Sequence, residues 1–223
     1  MLYILFGFVF GLLIPYMARR FSKFMPATMA YAIYRLVWPT KKVSKQKRMQ
    51  NGKYQSLKTQ YLMRSIGWGV VSAGLTFWAH ICFLSDFYIA LIWVLLLLYE
   101  IDNRMLLLPD ILTFPLLIGG FVFASIVPGF ALQSALGAAS GYILPVIASL
   151  LIVRKHPEAF GGGDIKLLSA IGAWIGVHYV PILILVSSVI FGASCLLKRE
   201  KAGAFGPSIV IATLALVFYF SLV

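Results

Sequence analysis

The chain has only seven acidic side chains: Asp86, Glu100, Asp102, Asp110, Glu158, Asp164 and Glu200. Two of them lie where the surrounding sequence needs no acid for structure alone. Asp102 falls at the end of an apolar run, in LLYEIDNRMLLLPDILTFP, where a helix C-terminus disfavours negative charge by a few tenths to about 1 kcal/mol. Asp164 follows three glycines and opens another apolar run, in EAFGGGDIKLLSAIGAWIG. An N-cap role would suit Asp164, but capping does not call for Gly161, Gly162 and Gly163 in a row. Three residues without side chains permit positive φ and let another backbone come very close. Two carboxyls in contact do not both ionise: they share a proton, and one pKa rises. The charged member can then activate water while the protonated one polarises a carbonyl. Asp110, just after Pro109, has a structural explanation as the cap of the helix it begins.

The elements that must position these acids are read from composition. Of the 223 residues, 61% are hydrophobic and 12% charged, about half the charge fraction of a water-soluble domain. Apolar runs near the roughly 17–25 residues needed to cross hydrocarbon recur from end to end. The expected fold is all-α, a polytopic integral membrane protein with about eight transmembrane helices. They fall near 2–17, 62–84, 87–101, 111–127, 131–153, 165–179, 181–197 and 205–222. The spans at 87–101 and 165–179 are short, and re-entrant segments compete with thin crossings there. Eight crossings that start outside put every Lys and Arg on the cytoplasmic side or within a turn of it, which favours true crossings. The same topology returns Asp102 and Asp164, 62 residues apart, to one membrane face. The expected division is 1–89, holding the N-terminal spans and a basic cytoplasmic segment at 18–61, and 90–223, the core that carries the acids.

The formal net charge is +12, and 11 of the 19 Lys and Arg lie in residues 18–60. Beside a membrane span, such a segment is a topology anchor that meets anionic headgroups. No nucleic acid is expected, because the segment has scattered aromatics and no recognised binding fold. Residues 40–60 lack helical periodicity and are expected to form a loop. No positive region precedes the first apolar run, so residues 1–17 are expected to be a retained span. Cys82 and Cys195 are too few for a disulfide framework and are expected as buried thiols at opposite ends of the bilayer. His80, His156 and His178 are scattered and receive no catalytic role. Gly137 with Gly141, and Gly172 with Gly176, have the four-residue spacing that lets helices pack closely in lipid.

The segments IDNRMLLLPDILTFPLL at 101–117 and FGGGDIKLLSAIGAWIG at 160–176 resemble the type IV prepilin peptidases, membrane aspartic proteases of the GxGD class. Ala-Phe-Gly-Pro at 204–207 also looks like that family's C-terminal region. The resemblance covers roughly 90–223 and is loose before that. It implies that Asp102 and Asp164 are the catalytic aspartates. Gly161 and Gly163 fall on the two fixed glycines, with Asp110 and Lys166 supporting the motifs. It implies cleavage of the short basic leader of prepilins or pseudopilins at the cytoplasmic face of a bacterial inner membrane, with no cofactor for proteolysis. S-adenosylmethionine is implied where the new N-terminus is also methylated. The chain lacks the paired-cysteine motif of longer members, so no zinc site is expected. Glu100, Asp110 and Glu158 are expected to supply negative potential for the basic leader. The dipoles of the two helices place the shared proton on Asp102 and the charge on Asp164. A transporter using membrane carboxylates, and an assembly component whose aspartates only cap helices, are the competing classes. Transport carboxylates usually lie near mid-bilayer in repeated halves, and no repeat is found here.

Overall fold

A computed structural model describes residues 2–24, 52–82, 85–153, 161–199 and 203–221. Among them the chain is all-α and folds as two compact units, Met1–Phe83 and Leu84–Val223. By length and composition three helices can cross a membrane, at Tyr3–Phe21, Ala131–Leu150 and Val180–Leu197. Together with shorter apolar helices, they make the chain a polytopic membrane protein.

The first unit pairs α1 (Leu2–Phe24) with α2 (Gly52–Ile81). Small residues make the seam: a Cβ on Gly7 would lie 2.6 Å from Thr76 Oγ1, and one on Gly11 would strike the Trp68 carbonyl. Tyr3 stacks on His80 at 4.8 Å, and the Arg19 guanidinium lies 5.1 Å from the Tyr61 ring centre. Residues 52–60, expected as loop, are the first turns of α2. A helix leaving lipid keeps its internal hydrogen bonds whatever its side chains do, so polar residues without periodicity do not end it. Residues 40–51 of the expected loop lie outside the described residues.

The second unit contains α3 (Asp86–Met105), α4 (Asp110–Ile126), α5 (Ala131–Val153), α6 (Gly162–Ile175), α7 (Val180–Lys198) and α8 (Gly206–Phe220). Ser85 caps α3, its Oγ accepting the Phe87 N–H at 3.2 Å. Leu106 ends the helix in the left-handed region, at φ 53°, and its N–H bonds back to the Asp102 carbonyl. The core is built from Leu91, Leu95 and Leu98 of α3, Leu167, Leu168 and Ile171 of α6, and Ile209 and Val210 of α8.

At the centre lies α6, with every residue from Leu167 to Ile175 buried. Its 14 residues reach about 21 Å at 1.5 Å each, short of the roughly 30 Å of hydrocarbon. Sequence hydropathy extended it to residue 179, but Gly176 takes φ 78° and stops it at Ile175. Helix α5 meets α6 backbone to backbone. A Cβ on Gly137 would strike the Gly172 carbonyl, and one on Gly172 would strike that of Gly137. Ser134 and Ser169 donate across the seam to the carbonyls of Ala173 and Ala138, at 2.7 and 2.9 Å. On the other side Trp174 Nε1 donates to the Leu116 carbonyl of α4 at 2.8 Å. These bonds suit an apolar surround, where a lone donor finds no water. Cys82 and Cys195 are free thiols in different units.

Candidate active site

Asp102 lies near the end of α3 and is 4% exposed. Its side chain reaches the first turn of α8, where Oδ2 accepts the Gly206 N–H at 2.9 Å. A helix-terminal N–H has no partner in its own helix, and Asp102 supplies one from 104 residues away. The sequence placed Asp102 at a helix C-terminus, disfavoured when charged. The structure adds the N-terminus of a second helix, which favours that charge.

Asp164 occupies the first turn of α6, three residues after the helix cap at Gly161. It is not the cap itself: its carboxyl reaches back to the Gly161 backbone N–H, the reciprocal half of a capping box. Both aspartates stand outside the three long crossing helices. Burial pushes the Asp164 carboxyl up to about 7, the charge of Asp102 adds to the rise, and the Gly161 N–H works against it. Burial also raises Asp102, opposed by the Gly206 N–H. The two acids are thus close enough for one charge to resist the other.

The three glycines divide by what surrounds them. None has a positive φ; among the described glycines only Gly129 and Gly176 do. Their common use is space. A Cβ on Gly161 would lie 2.9 Å from Asp164 Oδ2, and one on Gly163 would lie 3.0 Å from Leu108 Cβ, while Gly162 has nothing within 4 Å. Gly162→Ala should therefore be tolerated and should stabilise the helix start by about 0.5 kcal/mol. Gly163→Ala must push Leu108 off the start of α6 and should cost about 1–3 kcal/mol. Thermal unfolding of the two purified variants checks this contrast; equal melting shifts would contradict it.

Asp110 is the first residue of α4 but caps nothing; the cap position is Pro109, with no side-chain bond. Both Asp110 oxygens instead accept Lys166 Nζ, each at 2.8 Å. Lys166 also lies 5.8 Å from the Phe114 ring centre. This pair ties α4 to the helix that carries Asp164. The side chains are 36% and 40% exposed, so the pair contributes at most about 1 kcal/mol. Asp110→Lys alone should lower the melting temperature, and adding Lys166→Asp should restore most of the loss. A double-mutant cycle without coupling would remove the pair from the account.

Glu100, expected to face a basic leader, has a fully buried side chain bound to Arg104 at 2.6 Å. Taking such a pair out of water is costly unless the two charges meet, as they do here on one helix. Asp110 is likewise held by its own chain's cation. Glu158 lies outside the described residues. Among the described residues, no three His, Cys, Asp or Glu side chains gather as a metal would require.

The Type IV leader peptidase family matches residues 89–197, which contain both aspartates and the glycines. The match covers just under half of this chain. The chain is similar to the prepilin leader peptidase/N-methyltransferase of Aeromonas salmonicida. That match is 38% identical over 158 residues, covering 66% of this chain and 48% of the relative. The protein of the same name from Vibrio cholerae is 32% identical over 137 residues, 58% of this chain and 54% of the relative. The one from Neisseria gonorrhoeae is 38% identical over 118 residues, 50% of this chain and 41% of the relative. The chain spans about half the length of these curated relatives. No solved structure matches it. Two parts of the domain's site had weak signals in sequence. Gly206 stood in the Ala-Phe-Gly-Pro segment without a role, and the Asp110–Lys166 bond showed only as a lysine one turn inside an apolar helix.

Proposed function

We propose that the chain removes the short basic leader of type IV prepilins or pseudopilins, using Asp102 and Asp164 as an aspartic dyad. One observation carries this: two acids from distant segments lie within each other's field, each beside a helix-terminal N–H, in the domain that matches leader peptidases. The dyad holds one proton. The ionised carboxylate takes a proton from water as the oxygen attacks the scissile carbonyl. The protonated partner gives its proton to the carbonyl oxygen, leaving a neutral tetrahedral diol. On collapse the first carboxyl protonates the leaving amine as the C–N bond breaks, and the second regains its proton from the diol.

The proposed location is a bacterial inner membrane, with the dyad at the cytoplasmic edge and anionic headgroups against the basic segment at 18–61. Nucleic acid has no part in this function. Proteolysis by this route uses no cofactor. Methylation of the new N-terminus, which the relatives' names include, would draw its methyl group from S-adenosylmethionine, and none of the residues described above is assigned to bind it.

Co-expression with a prepilin carrying a basic leader tests the function. The expected result is leader loss, read by mass spectrometry of the pilin N-terminus, which also reports any added methyl group. Prepilins of several leader types left intact, with the protein present in the membrane, would refute it. Position favours a peptidase over a transporter, because both acids lie at helix ends and outside the long crossing helices.

A further inference from the structure

The geometry points to Gly206 as a positioning residue: its backbone N–H holds Asp102 Oδ2, so that Asp102 serves as the base of the dyad and Asp164 as the acid. This rests on the peptidase function proposed above and goes beyond it by assigning the two roles.

Three observations meet here. The Gly206 N–H donates to Asp102 Oδ2 at 2.9 Å, in a buried setting. The donor is the first residue of α8, and Pro207 follows with no N–H to offer, so Gly206 is the backbone donor aimed at the acid. A Cβ at residue 206 would lie 2.6 Å from Oδ2 and 3.0 Å from Cγ of Asp102, so only glycine fits against the carboxyl. A backbone N–H donates and cannot accept, so the bond favours the charged form of Asp102. With Oδ2 held, Oδ1 is left to receive the proton of the attacking water, while the dyad proton on Asp164 passes to the carbonyl oxygen. Burial and the charge of Asp102 favour the protonated form of Asp164 and outweigh the Gly161 N–H, whereas at Asp102 burial alone opposes the Gly206 N–H.

Among the described residues, few other charges stand on the elements packed against Asp102. Asp164 and Lys166 stand on α6, with Lys166 bound to Asp110 of α4. Glu100 and Arg104 pair on its own helix, and α8 offers only Tyr219 near its far end.

The test removes the donor without adding a side chain. The amide between Phe205 and Gly206 is replaced by an ester in the full chain, using an α-hydroxy acid at position 206. Cleavage of a prepilin is followed in detergent across pH. The expected result is a fall in kcat of about ten- to a hundredfold with KM little changed. The acid limb of the profile should move to higher pH, because a carboxylate stripped of a donor binds its proton more tightly. Gly206→Ala should show the same loss or a larger one. Gly203→Ala, whose added Cβ would meet only Phe191 at 3.8 Å, should cleave normally. An ester chain with unchanged kcat overturns the positioning role. A shift of the alkaline limb instead makes Asp102 the acid and overturns the assignment. Failure of the unaltered chain to cleave would refute the peptidase function itself.

Discussion

Asp102→Asn and Asp164→Asn should each lower leader removal by about a thousandfold or more. The chemistry needs one charged and one protonated carboxyl, and an amide can be neither at working pH; loss of general acid or base catalysis alone costs about 10²–10⁴ in rate. The asparagine oxygen can still accept the Gly206 or Gly161 N–H, so the helix starts survive and folding is little affected. Membrane levels and melting temperature should stay near those of the unaltered protein, which isolates the loss to chemistry. The same dyad sets the pH dependence. Asp164 is raised to about 7, with burial the larger cause and the Asp102 charge the next. As pH rises through that region the shared proton leaves, no acid remains to polarise the carbonyl, and kcat falls. At low pH both carboxyls are protonated, no base remains, and kcat falls again, giving a bell whose limbs belong to the pair. Either Asn variant cleaving within tenfold of the unaltered chain would remove the dyad from the mechanism.

Gly172→Ala should be, with Gly137→Ala, among the most damaging single methyls in the second unit. Its Cβ would strike the Gly137 carbonyl oxygen, and would lie 2.7 Å from the Gly137 carbonyl carbon and 3.2 Å from Val180 Cγ2. A flexible side chain could swing aside, but a helix backbone held by Ser134 and Ser169 cannot. The two helices must part, losing van der Waals contact that lipid does not replace. The expected cost is about 3 kcal/mol or more, at the upper end for overpacking. Because α6 carries Asp164, cleavage should fall as the seam opens. Gly192→Ala on α7 is the control, since nothing lies within 4 Å of its added Cβ. It should be neutral or gain up to about 1 kcal/mol of helix propensity. Thermal unfolding of both variants in one detergent decides the matter, and a Gly172→Ala protein as stable as the control would show that the seam can yield.

The local pattern carried much of the fold. Apolar runs bounded by Pro, Gly and charge mark helices because lipid demands internally bonded backbone, and α5, α7 and α8 start and stop close to where those runs do. The ends of α2 and α6 were less legible. Polar residues 52–60 do not prevent a helix that has already formed below them, and one glycine at φ 78° ends α6 inside an apolar run.

By itself the sequence determined that this is an all-helical membrane chain and that Asp102 and Asp164 are the acids to watch. Those conclusions follow from hydropathy, charge placement and the glycines before Asp164, all local or counted along the chain. Tertiary structure alone decided what each acid touches. Asp102 sits at a helix end that disfavours its charge, and α8 brings the compensating Gly206 N–H to it from 104 residues away. Only the packed helices show that Asp110 is paired with Lys166 and Glu100 with Arg104. Hydrogen bonds and ion pairs act over about 3 Å of space, and the packing of whole helices, not spacing along the chain, sets which groups come within that reach.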